Sequence, residues 1–379
     1  NIFLSAHNRV DDFITRINPG LKFSTKDSNY GIDLDYRLGL VFYAKETNND
    51  FVGHSGTLNA WYTLDRRLTF RVSEYLTRSD EPREQEYTPG ALPIQYQLGT
   101  DRTRSVYLRN VFEPSVQYQF GKEDFVSINY RNNFYDNQSR LSEDSRENFI
   151  NPKLAYWFDI RNGVVLEYGL TFGKFERSPD LTGHMATARY IYRFDPRTSI
   201  FGEYLFLRRS FDSPGVDYDV HRPTLGIEHA FSPTLSVNAQ LGYFWENPKK
   251  GSKASDPYYN ISFTQRAQKT TYTLLFQGGY TEDYFTAQNF GFTKYHRGIG
   301  TISHQLKERL TVGLSGSLER AKLGTGQRDW VWGIWGTASY QILKWLSVAL
   351  EVSHREDISS IDTSNYSEYR GLLRATATF

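Results

Sequence analysis

The sequence predicts an all-β protein, a transmembrane antiparallel up-and-down β-barrel of about 20 strands, with 18 as the alternative count. Three observations carry this. Apolar residues recur at every second position over stretches of about a dozen residues, short and long connections alternate in strict order, and no stretch approaches the ~18 consecutive apolar residues of a membrane-spanning helix. Composition narrows the classes further. Of 379 residues, 16% are aromatic and 39% hydrophobic, while 44 basic and 43 acidic side chains leave a net charge of +1. The broad positive field of a nucleic-acid binder is missing, so no nucleic-acid partner is expected. The absence of cysteine excludes a disulfide framework, a thiolate zinc site and covalently attached haem.

Taken in order, Ile2 to Ala6 reads as the end of a strand whose start precedes Asn1, and nineteen full strands follow from near Asp12. The alternation is clearest from Tyr30 to Tyr43, where Tyr30, Ile32, Leu34, Tyr36, Leu38, Leu40 and Phe42 share one face and Asp33, Asp35 and Arg37 lie on the other. It returns at Leu235 to Glu246 and at Leu310 to Glu319. Short connections are expected at 26–29, 65–67, 121–124, 159–162, 195–198, 232–234, 267–270, 305–309 and 343–345. Longer ones are expected at 46–52, 80–103, 136–146, 178–181, 212–218, 247–256, 282–289, 322–328 and 356–365. A strand of about 12 residues is ~40 Å long and, tilted by ~45°, rises ~28 Å, close to the hydrocarbon thickness of a bilayer. Soluble sandwich strands run nearer 5 or 6 residues, and a propeller would need about four strands in each interval that here holds one hairpin. Residues 1–379 are therefore expected to form a single outer-membrane barrel domain.

About twenty apolar stripes cannot all meet inside a closed barrel, because ~16 strands already leave an aqueous channel. Apolar-out is the stable arrangement, with outer-membrane lipid as the first partner. Aromatics are expected to form two girdles. Trp61, Tyr62, Tyr156 to Phe158, Tyr192, Phe194, Phe231 and Trp345 lie beside the short turns, and Tyr43, Phe134, Tyr135, Phe175, Tyr243, Trp245 and Tyr280 near the long loops. The last strand, with Tyr369, Gly371, Leu373, Ala375, Ala377 and Phe379 on one face, ends as bacterial outer-membrane barrels commonly do.

The opposite parity places Asp33, Asp35, Arg37, Arg71, Arg109, Arg131, Glu167, Arg189, Arg193, Glu228, Glu246, Glu319, Glu351, Arg370 and Arg374 on the lumen wall. Two readings stand for these charges: they guide hydrated solutes, or they brace the wall as cross-strand ion pairs. Luminal Tyr107, Trp157, Phe244 and Trp335 could stack on sugar rings, though packing beneath a loop is the more ordinary role. The 80–103 connection has an apolar centre between charged ends and is expected to fold inward as a constriction, with Pro82, Tyr87, Pro89, Leu92, Ile94 and Tyr96 at its narrowest part. The eight histidines are scattered, without metal-ligand spacing, and read mainly as strand-end or lumen residues, although His229 has lipid-facing parity. No nucleophile and base stand in recognisable spacing, so no enzyme, catalytic residue, metal or cofactor is expected.

The N-terminal run Asn1-Ile2-Phe3-Leu4, then Asp12-Phe13-Ile14-Thr15-Arg16-Ile17-Asn18-Pro19-Gly20-Leu21, then the strand carrying Tyr36 and Tyr43-Ala44, resembles a family of outer-membrane β-barrel porins associated with exopolysaccharide export systems. The resemblance covers about the first 45 residues by motif and the remainder by architecture. It implies a bacterial outer-membrane barrel in a Gram-negative envelope, a polysaccharide as cargo and periplasmic export components as partners. The leading expectation is a passive channel for hydrophilic solutes. The alternative is a scaffold barrel sheathing a partner such as a multihaem cytochrome, and a third reading, a surface adhesin or receptor, is disfavoured by the modest loops.

Overall fold

The structure, a computed structural model, describes residues 9–80, 106–138, 142–285 and 289–378. Twenty antiparallel strands form one sheet: β1 (Ile14–Ile17), β2 (Gly20–Lys26), β3 (Tyr30–Tyr43), β4 (Phe51–Leu64), β5 (Leu68–Ser79), β6 (Tyr107–Gln119), β7 (Phe125–Asn137), β8 (Ser145–Trp157), β9 (Asn162–Phe175) and β10 (Leu181–Asp195), then β11 (Thr198–Phe211), β12 (Tyr218–Ser232), β13 (Leu235–Pro248), β14 (Ala254–Arg266), β15 (Thr270–Asp283), β16 (Gly291–Lys307), β17 (Leu310–Lys322), β18 (Arg328–Leu343), β19 (Leu346–Ser359) and β20 (Tyr366–Ala377). From β3 onward each strand pairs with its chain neighbours, the up-and-down order that short hairpin turns dictate.

The first strand departs from expectation. Instead of one unbroken stave, β1 and β2 both pair with β3, interrupted at Asn18-Pro19, so the wall is nineteen positions across. Proline has no N–H for the ladder and keeps only its carbonyl, which accepts from Leu38 N at 2.9 Å. Among the described residues no ladder joins β20 to β1 or β2. The side chains on these two edges are the least covered in the wall, Leu21 at 79% and Tyr369 at 77% exposure. The expected strand end at Ile2 to Ala6 lies outside the described residues, as does Phe379.

From β3 on, strands run from 12 residues in β5 and β20 to 17 in β16, ~40–55 Å at ~3.3 Å per residue, enough to cross a bilayer when tilted. Several extend past their expected ends; β19 reaches Ser359 where a loop was expected from Glu356. The two faces differ as alternation requires. Outward positions keep large apolar side chains exposed, such as Leu34, Ile128, Leu166, Leu241, Leu314 and Leu350, whereas the inward positions hold the buried Glu147, Glu203, Glu319 and Val331. One outward patch is polar: Asn110 donates to Glu74 (2.8 Å), and Tyr130 and Asn132 donate to Asn148 (2.7 and 3.0 Å).

The aromatic girdles are corrected by the same alternation. Consecutive residues cannot both face lipid, so Tyr62 is exposed while Trp61 lies inward across Gly31, and Tyr156 is exposed while Trp157 lies inward across Gly163. At the loop ends, Tyr243 and Trp245 face outward, but Tyr43 and Tyr135 are buried and Phe175 and Tyr280 pack into an interior cluster.

Candidate functional site

The inward face is a ladder of paired charges. Arg131 reaches Glu147 through two bonds of 3.0 and 2.8 Å, with Glu113 at 3.8 Å, and its guanidinium lies over the Phe149 ring. Further round, Glu203 receives Arg189 (2.8 Å), Arg222 (3.3 Å) and Gln240 (3.2 Å), joining β10 to β13 through one carboxylate. Arg297 meets Glu319 at 2.5 Å and Lys153 stands 3.8 Å from Glu167. At the short-turn end Arg193 lies over Trp157 and forks onto Glu123 (2.9 and 2.7 Å), which holds the Glu123 carboxyl below its ordinary range. Glu123 reaches Arg193 from the β6–β7 turn; the other neighbours sit on strands one or two apart with matching parity, which brings opposite charges within reach without a loop.

At the long-loop end the interior between β9 and β16 closes over with aromatic side chains. Leu181, Leu205, Leu207, Tyr218, Val220, Phe244 and Tyr284 form a buried cluster edged by Phe175, Phe211, Phe285 and Phe292. Tyr284 and Phe285 come from the connection after β15. The Tyr284 hydroxyl meets that of Tyr218 at 2.9 Å, and burial raises the Tyr284 hydroxyl's pKa. Phe285 stacks on Phe175, centroids 5.3 Å apart, in space that a side chain at Gly173 would fill. Gly183 leaves room in the same way for Arg209, which forks onto Glu282 four strands away (2.9 and 2.6 Å), and Tyr218 donates to the same carboxylate (2.6 Å).

A carboxylate ties three connections together above this cluster. Glu143, between β7 and β8, accepts from the Ser178 hydroxyl (2.6 Å) and the backbone N–H groups of Ser178 (2.9 Å) and Arg177 (3.3 Å) in the β9–β10 connection. It also accepts from Asn289 Nδ2 (2.7 Å), which follows β15. Burial opposes its charge, but the bonds from Ser178, Asn289 and Arg177 outweigh it and hold the carboxyl below the usual glutamate range.

The structure brings together Arg131, Glu167, Arg189, Arg193 and Glu319 with partners on this wall, and Arg37 with Asp35 (2.9 Å) and Asp33 with Ser24 (2.5 Å) on β2 and β3. Arg109 is buried and donates to Asn133 at 3.2 Å. Arg71, Glu228, Glu246, Glu351, Arg370 and Arg374 occupy the same face without joining the aromatic cluster. Of the luminal aromatics, Tyr107 stacks on Tyr135, Phe244 packs against Tyr280, Trp335 lies against Val331, and Trp157 is covered by Arg193, so all four contact protein.

The expected constriction residues Pro82, Tyr87, Pro89, Leu92, Ile94 and Tyr96 lie outside the described residues. Sequence reasoning missed the inward turn of Tyr284 and Phe285, the Arg209–Glu282 pair and the Glu143 junction. Arg209, Glu203 and Glu147 were not singled out either, although they share the inward parity of their strands, and nothing in the sequence announces contacts between connections. The histidines are a correction: the seven described ones, His54, His184, His221, His229, His296, His304 and His354, all take outward ladder positions rather than lumen ones, and His7 lies outside the described residues. Among the described residues no three metal-ligating side chains stand together.

The family described as Putative beta-barrel porin 2 matches residues 169–379. No curated protein matches the chain. Among solved structures, the FrpB iron transporter of Neisseria meningitidis is similar at a TM-score of 0.57 and 9% identity, over 94% of this chain and 77% of that one. A ferric enterobactin receptor, PfeA, of Pseudomonas aeruginosa gives 0.52 and 8%, over 92% and 72%. The siderophore receptor PirA of Acinetobacter baumannii gives 0.51 and 9%, over 93% and 73%. At such identities the likeness is one of fold alone.

Proposed function

Since the chain belongs to the family described as Putative beta-barrel porin 2, we propose that it works in the bacterial outer membrane as a porin-like channel for hydrophilic solutes. The observation that carries this reading is the division of the wall. Large apolar side chains are exposed outward while Arg131, Glu147, Arg189, Glu203, Arg297 and Glu319 are paired inward. A wall of paired charges offers donors and acceptors to a hydrated solute without a strong net field, and so favours passage without tight binding. Polysaccharide, the cargo implied by the N-terminal resemblance, would use the same hydrophilic surface. Stacking on the inward aromatics is not part of this reading, because those rings are engaged by protein.

Planar-bilayer recording of the purified barrel tests it. Steady ohmic conductance from the barrel alone is expected, and its absence, together with co-purification of a haem-absorbing subunit, would transfer support to the sheath reading. Flux of neutral oligosaccharides of increasing length from loaded vesicles then sets the size of the solute.

A further inference from the structure

One arrangement recurs on the outward face near the long-loop ends. Tyr36 on β3 bonds His54 Nδ1 on β4 (2.8 Å), and the ladder partner of His54 on β5 is Arg78. Tyr168 on β9 bonds His184 Nδ1 on β10 (2.6 Å), and His184 pairs with Arg208 on β11. Tyr259 on β14 bonds His296 Nδ1 on β16 (3.1 Å) across Gly278, where a side chain would strike both rings, and His296 pairs with Arg320 on β17. A fourth row, Tyr204 to His221 (2.6 Å), ends on Trp245 in place of arginine.

These rows sit where a membrane meets water. Arg78, Arg208 and Arg320 are one to three residues from the loop ends of their strands, ~2–7 Å of height for a strand tilted by ~45°. The same belt carries like charges directly opposite one another, Arg146 with Lys174 and Lys322 with Arg328, a destabilising placement unless an anion lies between. In the short-turn halves, outward ladder positions before the turn bulges carry no lysine or arginine among the described residues. Among the described residues, the positive charge at regular outward ladder positions therefore lies toward the long-loop end.

We infer that the three Tyr–His–Arg rows are seats for phosphate-bearing lipid headgroups in the leaflet at the long-loop end. With the tyrosine hydroxyl donating to Nδ1, the histidine proton rests on Nε2 and serves as a donor beside the guanidinium. The guanidinium supplies a planar fork that matches phosphate oxygens. Part of each seat is already engaged, Arg208 with Asp219 at 3.9 Å, Arg78 with the Val52 carbonyl, Arg320 over the Trp330 ring and His296 with Asp256 at 3.8 Å, but a guanidinium has five N–H donors and one acceptor leaves some unused. The inference needs the barrel to lie in a membrane and does not depend on whether it conducts.

The test is native mass spectrometry of the barrel in detergent, titrated with phosphatidic acid or with phosphatidylcholine of the same chains. The unaltered protein is expected to retain up to three phosphatidic acid molecules and far less phosphatidylcholine. Arg78→Gln, Arg208→Gln and Arg320→Gln should each remove one, weakening retention about fivefold per charge. The turn variant Lys122→Gln/Arg161→Gln/Arg197→Gln should retain all three. His54→Gln/His184→Gln/His296→Gln keeps the arginines and should weaken every seat, which supplies a second reading if an arginine variant fails to fold. Equal retention of the two lipids, unchanged stoichiometry in the arginine variants, or full displacement by inorganic phosphate at the same concentration would each overturn the inference.

Discussion

Glu143→Gln is the sharpest perturbation of the loop-end interior. One carboxylate oxygen accepts the backbone N–H groups of Arg177 and Ser178, and the other accepts the Ser178 hydroxyl and Asn289 Nδ2. A glutamine removes the charge from all four bonds; its carbonyl can keep the backbone pair, and its NH2 then holds Ser178 and Asn289 only if the hydroxyl and the side-chain amide reverse to accept. Hydrogen bonds to a charged acceptor contribute ~1.5–3 kcal/mol each against ~1 for neutral ones, so four weakened bonds should loosen the junction by about 3 kcal/mol, on the order of a hundredfold in its opening equilibrium. Amide hydrogen exchange at Arg177 and Ser178 reads this directly. In the unaltered protein, acid should reproduce the effect. The folded carboxyl is held below its ordinary value, so the stabilisation is complete above the unfolded value of ~4.3 and is lost as pH falls through the lower folded value. The Gln variant should exchange fast and lack this acid-dependent step. Unchanged protection in the variant would refute the claim that Glu143 holds the connections together.

Three further outcomes follow from the wall. Arg131→Met leaves the buried Glu147 and the half-buried Glu113 without their cation and should cost about 3 kcal/mol, seen as a lower midpoint for heat-induced loss of the compact band on gels; an unchanged midpoint would show that the pair is not structural. Ile150→Lys, at an outward mid-strand position, should destabilise by ~2–4 kcal/mol, whereas Thr187→Lys, facing inward beside Glu167, should cost little; equal effects would contradict the assignment of faces. Tyr284→Ala/Phe285→Ala empties the aromatic cluster of its two loop-borne rings and should raise single-channel conductance; the same conductance would mean that solutes do not pass that region.

The residues differ in how far the sequence could place them, and the reason is physical. Alternation is a property of each strand alone, so the faces of β3, β13 and β17 were legible from period two before any partner was known. Pairing partners were legible one step further. Glu203 shares parity with Leu205 and Leu207, and short hairpins fix it opposite Arg189, so the ion pair follows from register. Aromatic clusters misled because Tyr135 and Phe134 are adjacent and only one can meet lipid; parity, read consistently, already assigned Tyr135 inward with Arg131. The contacts of Phe285 with Phe175 and of Asn289 with Glu143 join segments more than a hundred residues apart, and they exist only because the sheet curves until distant loops meet. No periodicity encodes that meeting. The same limit explains the histidines: taken singly they carry no spacing signal, yet His54, His184 and His296 each sit between a tyrosine and an arginine on strands the topology brings together. A search along the chain for ligand motifs passes over such rows. A search across the register finds them, and in an up-and-down barrel that register can be written from the turns alone.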